Sequence, residues 1–385
     1  LQPLDGLLVV AVEQAVAAPL CTARLAAAGA RVIKIERGDG DFARGYDTAA
    51  SGESSYFTWL NQGKESVCLN FKEPHGAELL RAMLQQADVL VQNLAPGALA
   101  RTGFEFDELH KLNPRLITCN ISGYGATGDV ASKKAYDLLV QAESGLISVS
   151  GDADAPGRIG VSVCDIGAGM CAHSAVLEAL IKRGMTGLGE EVAVSLFDVA
   201  AEWMMVPYIH AHYGAGAPTP VGLRHPSIAP YGAFACNDQR LTLLSIQNER
   251  EWQRLCNDVL RSPAMLQQAM YSDNNARVKN RPALEADITA ITMTMSSAEF
   301  QQRLSDASIA YGSINTAKDL QQHPALRMQQ YRTSDNKALE LPAYPAYNSL
   351  STHTAHTGAS AAEGSHVRSP KIGEHTDAIV AEFLG

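Results

Sequence analysis

Two aspartates carry the clearest chemical promise in this chain: Asp165, within Cys164-Asp165-Ile166-Gly167-Ala168-Gly169-Met170, and Asp137, directly after Lys134-Ala135-Tyr136. A carboxylate at a helix start can attack an activated acyl carbon. The small residues after Asp165 leave space for a bulky acyl group, with backbone N–H donors to stabilise an oxyanion. Taken alone, Asp165 reads as an N-cap, because Asp is among the residues preferred just before a helix. The two roles are compatible. Other chemistries lack their residues. The turn Glu13 to Pro19 has no G-x-G-x-x-G and no Walker lysine loop occurs elsewhere, so a dinucleotide or ATP site is disfavoured. There is no C-x-x-C and no H-E-x-x-H, and His210 and His212 face different directions on a helix, so no metal site is expected. His173 reads as a core histidine, and a G-x-S-x-G elbow is absent.

These side chains need elements to hold them. Short apolar runs alternate with helical patterns through the first 125 residues: strand Leu7–Val12, helix Ala17–Ala28, strand Arg31–Ile35, helix His75–Gln86, and strands Val89–Gln92 and Leu116–Ile121. That alternation predicts parallel strands with helical crossovers. A helix is predicted from Asp165, with Ile166, Met170, His173, Leu177 and Leu180 on the face toward the sheet. A strand over Glu191–Ser195 and a helix from Leu196 to about His212 follow. The fold class is therefore α/β: a large open parallel-sheet, Rossmann-like domain over 1–213, a Gly/Pro-rich linker over 214–230, and a smaller α+β domain over 231–330. Residues 331–385 are predicted to return to the large domain and end in a docking helix, after an exposed Ser/Thr/Ala/Gly-rich loop over 348–369.

Composition narrows the partners. The 385 residues are 46% hydrophobic, enough for full cores, and the net charge of −10 argues against a broad nucleic-acid or anionic-membrane surface. No uninterrupted apolar run reaches the ~18 residues of a membrane span, and Leu1–Val12 reads as a buried strand rather than a signal peptide. Seven scattered cysteines, mostly in apolar segments, suit buried thiols in a reducing compartment. A cytoplasmic protein without membrane partner is expected.

Several ordered motifs then form a resemblance. Ala17-Ala18-Pro19, Val32 to Arg37, Gly40-Asp41, Leu69-Asn70-Phe71-Lys72, Asp88 to Asn93, and Pro96-Gly97 with Arg101 and Gly103 look like the family III CoA-transferases. The likeness continues through Lys134-Ala135-Tyr136-Asp137, Cys164-Asp165, Gly169-Met170, Gly187 to Asp198 and Gly373-Glu374-His375-Thr376, and so spans nearly the whole chain. It implies that Asp165 is a covalent nucleophile, forming a mixed anhydride and then an aspartyl-CoA thioester. It assigns CoA contacts to Val16, Ala17, Arg37, Leu69, Lys72, Asn93, Leu94, Arg101 and Lys134. Coenzyme A enters as a substrate thioester, no cofactor is permanently bound, and two chains form an interlocked homodimer.

The same fold family includes α-methylacyl-CoA racemases, whose pattern has a His before the aspartate matching Asp137 and a Glu near Gln247. Here Tyr136 and Gln247 stand at those places, and a phenol with pKa ~10 is a poor base near neutrality. Transfer is therefore favoured over racemisation; a CoA-binding module without activity is a third reading. The segment Gly222 to Gly232 and the turn Glu13 to Pro19 resemble members that use succinyl-CoA and C4 or C5 dicarboxylates such as citramalate, mesaconate or itaconate. Arg44, Arg224 or His225 could then hold a distal carboxylate, with Tyr46, Tyr231 and Asp137 near the substrate; the alternative for Arg224 and His225 is ordinary linker charge in solvent.

Overall fold

The computed structural model describes residues 2–152, 154–214, 216–346 and 367–385. It divides into two compact units, one formed by Leu1–Leu146, Arg158–Val206 and Arg327–Gly385, the other by Ile147–Gly157 and Pro207–Leu326. The loop expected over 348–369 lies, up to residue 366, outside the described residues.

The first unit is built on a six-stranded parallel sheet. Its strands are β1 (Leu8–Val12), β2 (Arg31–Glu36), β3 (Glu65–Cys68), β4 (Val89–Gln92), β5 (Ile117–Ser122) and β6 (Glu191–Ser195), in the spatial order β3-β2-β1-β4-β5-β6. The order reverses between β1 and β4. In open parallel sheets a crevice forms at such a reversal, beyond the carboxyl ends of the strands.

Alternation along the strands feeds two cores. Val9 and Ala11 of β1 join Val89, Val91, Ile117 and Cys119 against helices α1 (Ala17–Ala27) and, later in the chain, Val163–Thr186. Val10 and Val12 face the other way and join Ile33, Ile35 and Val67 under Leu79, Leu80 and Met83 of the helix Pro74–Gln86. That second layer includes Ile379 of the C-terminal helix Thr376–Leu384, which packs on Pro74–Gln86 and β3. Arg31 fastens it by pairing with both Glu65 and Glu382.

The long helix differs from its sequence-based expectation in two ways. It begins at Val163 rather than Asp165. Its sheet-facing side is Cys164, Ala168, Ala172, Val176 and Ala179, while Met170 is exposed and Leu177 and Leu180 are partly buried. Small side chains let this helix lie close to α1 and the sheet, which a face of large residues would prevent. By length and composition Val163–Thr186 would suffice to span a membrane; here its small-residue face is buried in the α/β layer. The helix expected over Leu196 to His212 is two, Leu196–Trp203 and Met205–Tyr213.

The second unit is α+β. A three-stranded antiparallel sheet of Tyr231–Ala235, Leu241–Ser245 and Ala310–Ser313 carries a core of Phe234, Leu244, Trp252, Ile288 and Phe300. Arg277 is buried there, paired with Glu249 and lying over the Trp252 ring.

Candidate active site

Helix α1 starts at the carboxyl end of β1, and the turn before it is tightly held. Ala15 adopts φ +63°, a left-handed conformation unusual for a residue with a Cβ. Its N–H donates to Asp41 Oδ1 at 3.1 Å, while Asn93 accepts from the Gln14 N–H at 3.0 Å and donates to the Gln14 carbonyl at 2.8 Å. Asn93 thereby ties the end of β4 to the β1–α1 turn across the strand-order reversal. Strain of this kind persists only where surrounding bonds over-determine it.

Behind the turn lies a buried ionic network that the sequence reading did not single out. Lys64 Nζ contacts Glu13 Oε1 at 2.7 Å, Lys34 Nζ contacts Asp41 Oδ2 at 2.9 Å, and the Thr22 hydroxyl donates to Glu13 Oε2 at 2.6 Å. Burial pushes the Lys64 ammonium down to about 8, whereas for Lys34 the attraction of Glu13 and Asp41 outweighs burial and raises it. The available signal was Lys34 itself, a charge in the middle of the apolar strand Val32–Ile35. A buried cation demands paired carboxylates.

Val16 is the N-cap of α1 and provides no side-chain cap, and Pro19 has no N–H. The N–H groups of Val16, Ala17 and Ala18 have no acceptor among the described residues. Beside this turn, Val16, Leu20, Leu60 and Tyr56 share an apolar cluster with Ile166. That contact brings the first turn of the long helix next to the first turn of α1.

Let α2 denote the short helix Asp137–Glu143 and α3 the long helix Val163–Thr186. The N-cap of α3 is Ser162, which makes no capping bond; its hydroxyl lies 3.4 Å from the Tyr56 hydroxyl. The cap comes from α2. Asp137 Oδ1 accepts the N–H groups of Cys164 at 2.8 Å and Asp165 at 3.3 Å, and Asp137 Oδ2 accepts from Gln141 Nε2 at 2.7 Å. Asp165 is therefore the third residue of the helix rather than its N-cap, and its carboxylate has no hydrogen-bond partner among the described residues. Burial first, and the neighbouring Asp137 charge second, push the Asp165 carboxyl up to about 7.

Two further expectations are corrected. A Cβ on Gly167 would lie 2.4 Å from the Trp203 ring, and one on Gly169 would lie 2.5 Å from the Ala17 carbonyl oxygen and 2.9 Å from Leu20 Cβ. Gly167 and Gly169 serve close helix packing, and the space beside them is taken by Trp203, Ala17 and Leu20 rather than left for an acyl group. The first-turn N–H groups of α3 are also engaged, Val163 to the Val161 carbonyl and the next two to Asp137, so they cannot serve an oxyanion.

The remaining sequence-predicted residues separate into groups. Arg37, Leu69, Lys72 and Leu94 line one cavity of about 700 Å³, together with Glu13 and Gln14, at the carboxyl ends of β1, β2, β3 and β4. Lys72 is exposed, and among the described residues the Arg37 side chain makes a single 3.5 Å pair, with the exposed Asp39. Asn93 adjoins this cavity through Gln14. Arg101 donates to the Pro96 carbonyl at 3.4 Å and Lys134 is exposed, and neither lines the cavity. Tyr46 sits edge-on to Tyr56, ring centroids 5.5 Å apart, and its hydroxyl is pushed up to about 12 by burial first, with Asp41 and Asp165 contributing. Arg44 is not free for a substrate carboxylate: it forms a two-pronged pair with Glu36 at 2.9 and 2.7 Å and stacks 3.6 Å over Phe57. Asp137 is likewise committed to the helix cap. Arg224 and His225 belong to the second unit, where Arg224 pairs with Glu285 at 3.0 Å and His225 stacks on Tyr231. His173 is half-buried rather than a core residue, and burial followed by Arg24 pushes it down to about 4.

The family model for CoA-transferase family III matches residues 4–376. The chain belongs to CoA-transferase family III. Among its relatives, an acetyl-CoA:oxalate CoA-transferase of Acetobacter aceti is 34% identical over 315 residues, covering 81% of this chain and 80% of the relative. A succinate–glutarate CoA-transferase of Agrobacterium fabrum is 30% identical over 390 residues, covering 99% and 96%. A crystal structure of a CAIB/BAIF family protein from Brucella suis superposes with a TM-score of 0.83 at 30% identity, covering 99% of both chains. This family III protein is a CoA-transferase: it moves CoA between an acyl-CoA and a carboxylate, with coenzyme A entering as a substrate thioester.

Proposed function

We propose that this enzyme transfers CoA from succinyl-CoA to a C4 or C5 dicarboxylate, with Asp165 as the covalent nucleophile. The observation that carries the nucleophile assignment is the Asp165 carboxylate itself, half-buried at the start of α3 with no hydrogen-bond partner among the described residues. A carboxylate stripped of donors is a better nucleophile than one held in a network, because no hydrogen bond must break before attack.

In the first step an Asp165 oxygen attacks the thioester carbonyl, the C–S bond breaks, and CoA thiolate leaves a mixed anhydride. The thiolate then attacks the Asp165 carbonyl of the anhydride, releasing the donor acid as carboxylate and forming an aspartyl-CoA thioester. The acceptor carboxylate attacks that thioester, giving a second anhydride and CoA thiolate. Attack of the thiolate on the acceptor's acyl carbon yields the new acyl-CoA and restores ionised Asp165. No net proton is gained or lost, and Asp165 must be ionised to begin.

Each tetrahedral step carries an oxyanion. The uncommitted N–H groups of Val16, Ala17 and Ala18, next to Ile166, are the donors we assign to it. Lys72 and Arg37 in the 700 Å³ cavity are assigned to the CoA phosphates, with Leu69 and Leu94 against its apolar part. Asn93 holds the turn between them, and Arg101 and Lys134 contribute further positive charge. A dicarboxylate acceptor is supported by the names of the two relatives, which specify oxalate in one and succinate and glutarate in the other. We also assign a homodimer: Met170, Ile181 and Met185 on α3 are exposed and apolar, and a second copy would cover them.

The test uses Asp165→Ala and Asp165→Asn enzymes with succinyl-CoA and a panel of mono- and dicarboxylic acids. Loss of exchange by more than ~10³-fold is expected, together with preference for dicarboxylates in the unmodified enzyme. Near-normal exchange by Asp165→Asn overturns the nucleophile; equal rates with monocarboxylates overturn the acceptor class.

A further inference from the structure

We propose that Asp137 is a positioning residue for the reaction: by capping α3 from outside the helix it withholds that helix's N–H groups from Asp165 and keeps the Asp165 carboxylate unbonded. The inference rests on Asp165 as nucleophile and goes beyond it by assigning the residue that makes it reactive.

The geometry is specific. A carboxylate at the third position of a helix ordinarily has the first-turn N–H groups within reach, and such a bond stabilises the anion and dulls it. In this chain the helix's own N-cap, Ser162, does not cap, and its hydroxyl points to Tyr56. One oxygen of Asp137 takes both the Cys164 and Asp165 N–H groups. Its other oxygen is held by Gln141 Nε2. Gln141 is fully buried, and its Oε1 accepts the Ile159 N–H at 3.0 Å, so the brace extends into the strand of chain that leads to α3. Asp137 is the first residue of α2, which packs on α3, and cannot drift away from this cap.

Asp137 has a second effect through its charge. The titratable groups that bear on Asp165 are Asp137, the adjacent Cys164 thiol and the Tyr46 phenol. The last two are each pushed up to about 12, chiefly by burial, and are neutral at neutral pH. Asp137 is thus the charge acting on Asp165 among the described residues, and like charges oppose ionisation. The cap holds the Asp165 anion free of partners, and the charge makes it more basic.

Two substitutions separate these effects. Asp137→Asn keeps an oxygen for the two N–H groups but removes the charge and the acceptor for Gln141 Nε2. Asp137→Ala removes both and frees the N–H groups to bond Asp165. The readout is the pH dependence of kcat for exchange, whose acid limb reports ionisation of Asp165. In Asp137→Asn the limb moves to lower pH by roughly half a unit or more, with a smaller loss of plateau than in Asp137→Ala. In Asp137→Ala the limb moves further down and the plateau falls by ~10-fold or more, as Asp165 becomes bonded. A role confined to fold stability would lower the folded fraction and leave the limb in place. Circular dichroism and thermal melting report folding; should Asp137→Ala fail to fold, Asp137→Leu, which also removes the cap but fills the space, takes its place. A plateau within about 3-fold of the parent in folded Asp137→Ala overturns the cap, an acid limb at the parent position in folded Asp137→Asn overturns the charge effect, and either result leaves an inactive Asp165→Asn, and hence the nucleophile, intact. Exchange by Asp165→Asn would instead remove the reading on which it rests.

Discussion

Holding a half-buried carboxylate without partners costs the fold stability, and the cost can be measured at Asp165. The folded chain raises this carboxyl from its ordinary 3.8 to about 7. Below pH 3.8 both folded and unfolded states carry the proton, and the fold loses nothing. Between 3.8 and about 7 the unfolded chain ionises first, so stability falls as pH rises; above 7 the loss is complete. Three pH units at ~1.4 kcal/mol each would set a ceiling of about 4 kcal/mol. Partial exposure screens the charge, so ~1–3 kcal/mol is the working figure. Asp165→Asn removes the titration with almost no change in shape. Urea unfolding at pH 4.5 and at pH 8.5 should show the Asn variant gaining about 1–2 kcal/mol on the parent between the two conditions, since part of the loss has already occurred by pH 4.5. The variant would be the more stable protein and the inactive one, a trade-off common at active sites. A stability gap that stays constant across pH would refute the reasoning, because it would mean that the fold does not oppose ionisation of this group.

Other consequences follow from the packing and the cavity. Gly169→Ala places a methyl group against the Ala17 carbonyl and Leu20; forcing α1 and α3 apart should lower stability by ~1–3 kcal/mol in chemical unfolding and reduce kcat even in the folded enzyme. Lys72→Ala and Arg37→Ala, each removing one cation from the 700 Å³ cavity, should raise KM for acyl-CoA by roughly 3- to 10-fold with kcat little changed, and the effect should shrink at high salt because both side chains are exposed. Ile379→Ala empties a fully buried site under the sheet and should cost ~2–4 kcal/mol by denaturant titration.

The parallel sheet could be read in the sequence because its central strands are continuous apolar runs bounded by helical patterns, as at Leu7–Val12 and Val89–Gln92. Strand β3 escaped notice: Glu65-Ser66-Val67-Cys68 is short and partly polar, as an edge strand can be. It acquires its partners from β2 and from the C-terminal segment, whose His375 Nδ1 and N–H bond the Ser66 backbone. The long helix was located, with Leu177 and Leu180 correctly against the core, but its first two turns were misassigned. Hydrophobicity ranks Met170 and Ile166 above Ala168 and Ala172, whereas the close approach of α1 selects small side chains. The aspartate pair was visible as residue types. The cap was not, because Asp137 lies 28 positions before Asp165 and no local pattern announces a cap donated by another helix. Arg44 looked like a free cation for the same reason: Glu36 lies in the preceding strand, and only the fold brings the two together.

The central claim, that the Asp165 carboxyl carries the covalent intermediates of turnover, is tested most directly by quenching the working enzyme with acid and sequencing its peptides by mass spectrometry. The account predicts a CoA thioester, or its hydroxylamine-trapped derivative, on Asp165. Modification confined to another residue, or none under conditions of full turnover, would contradict it.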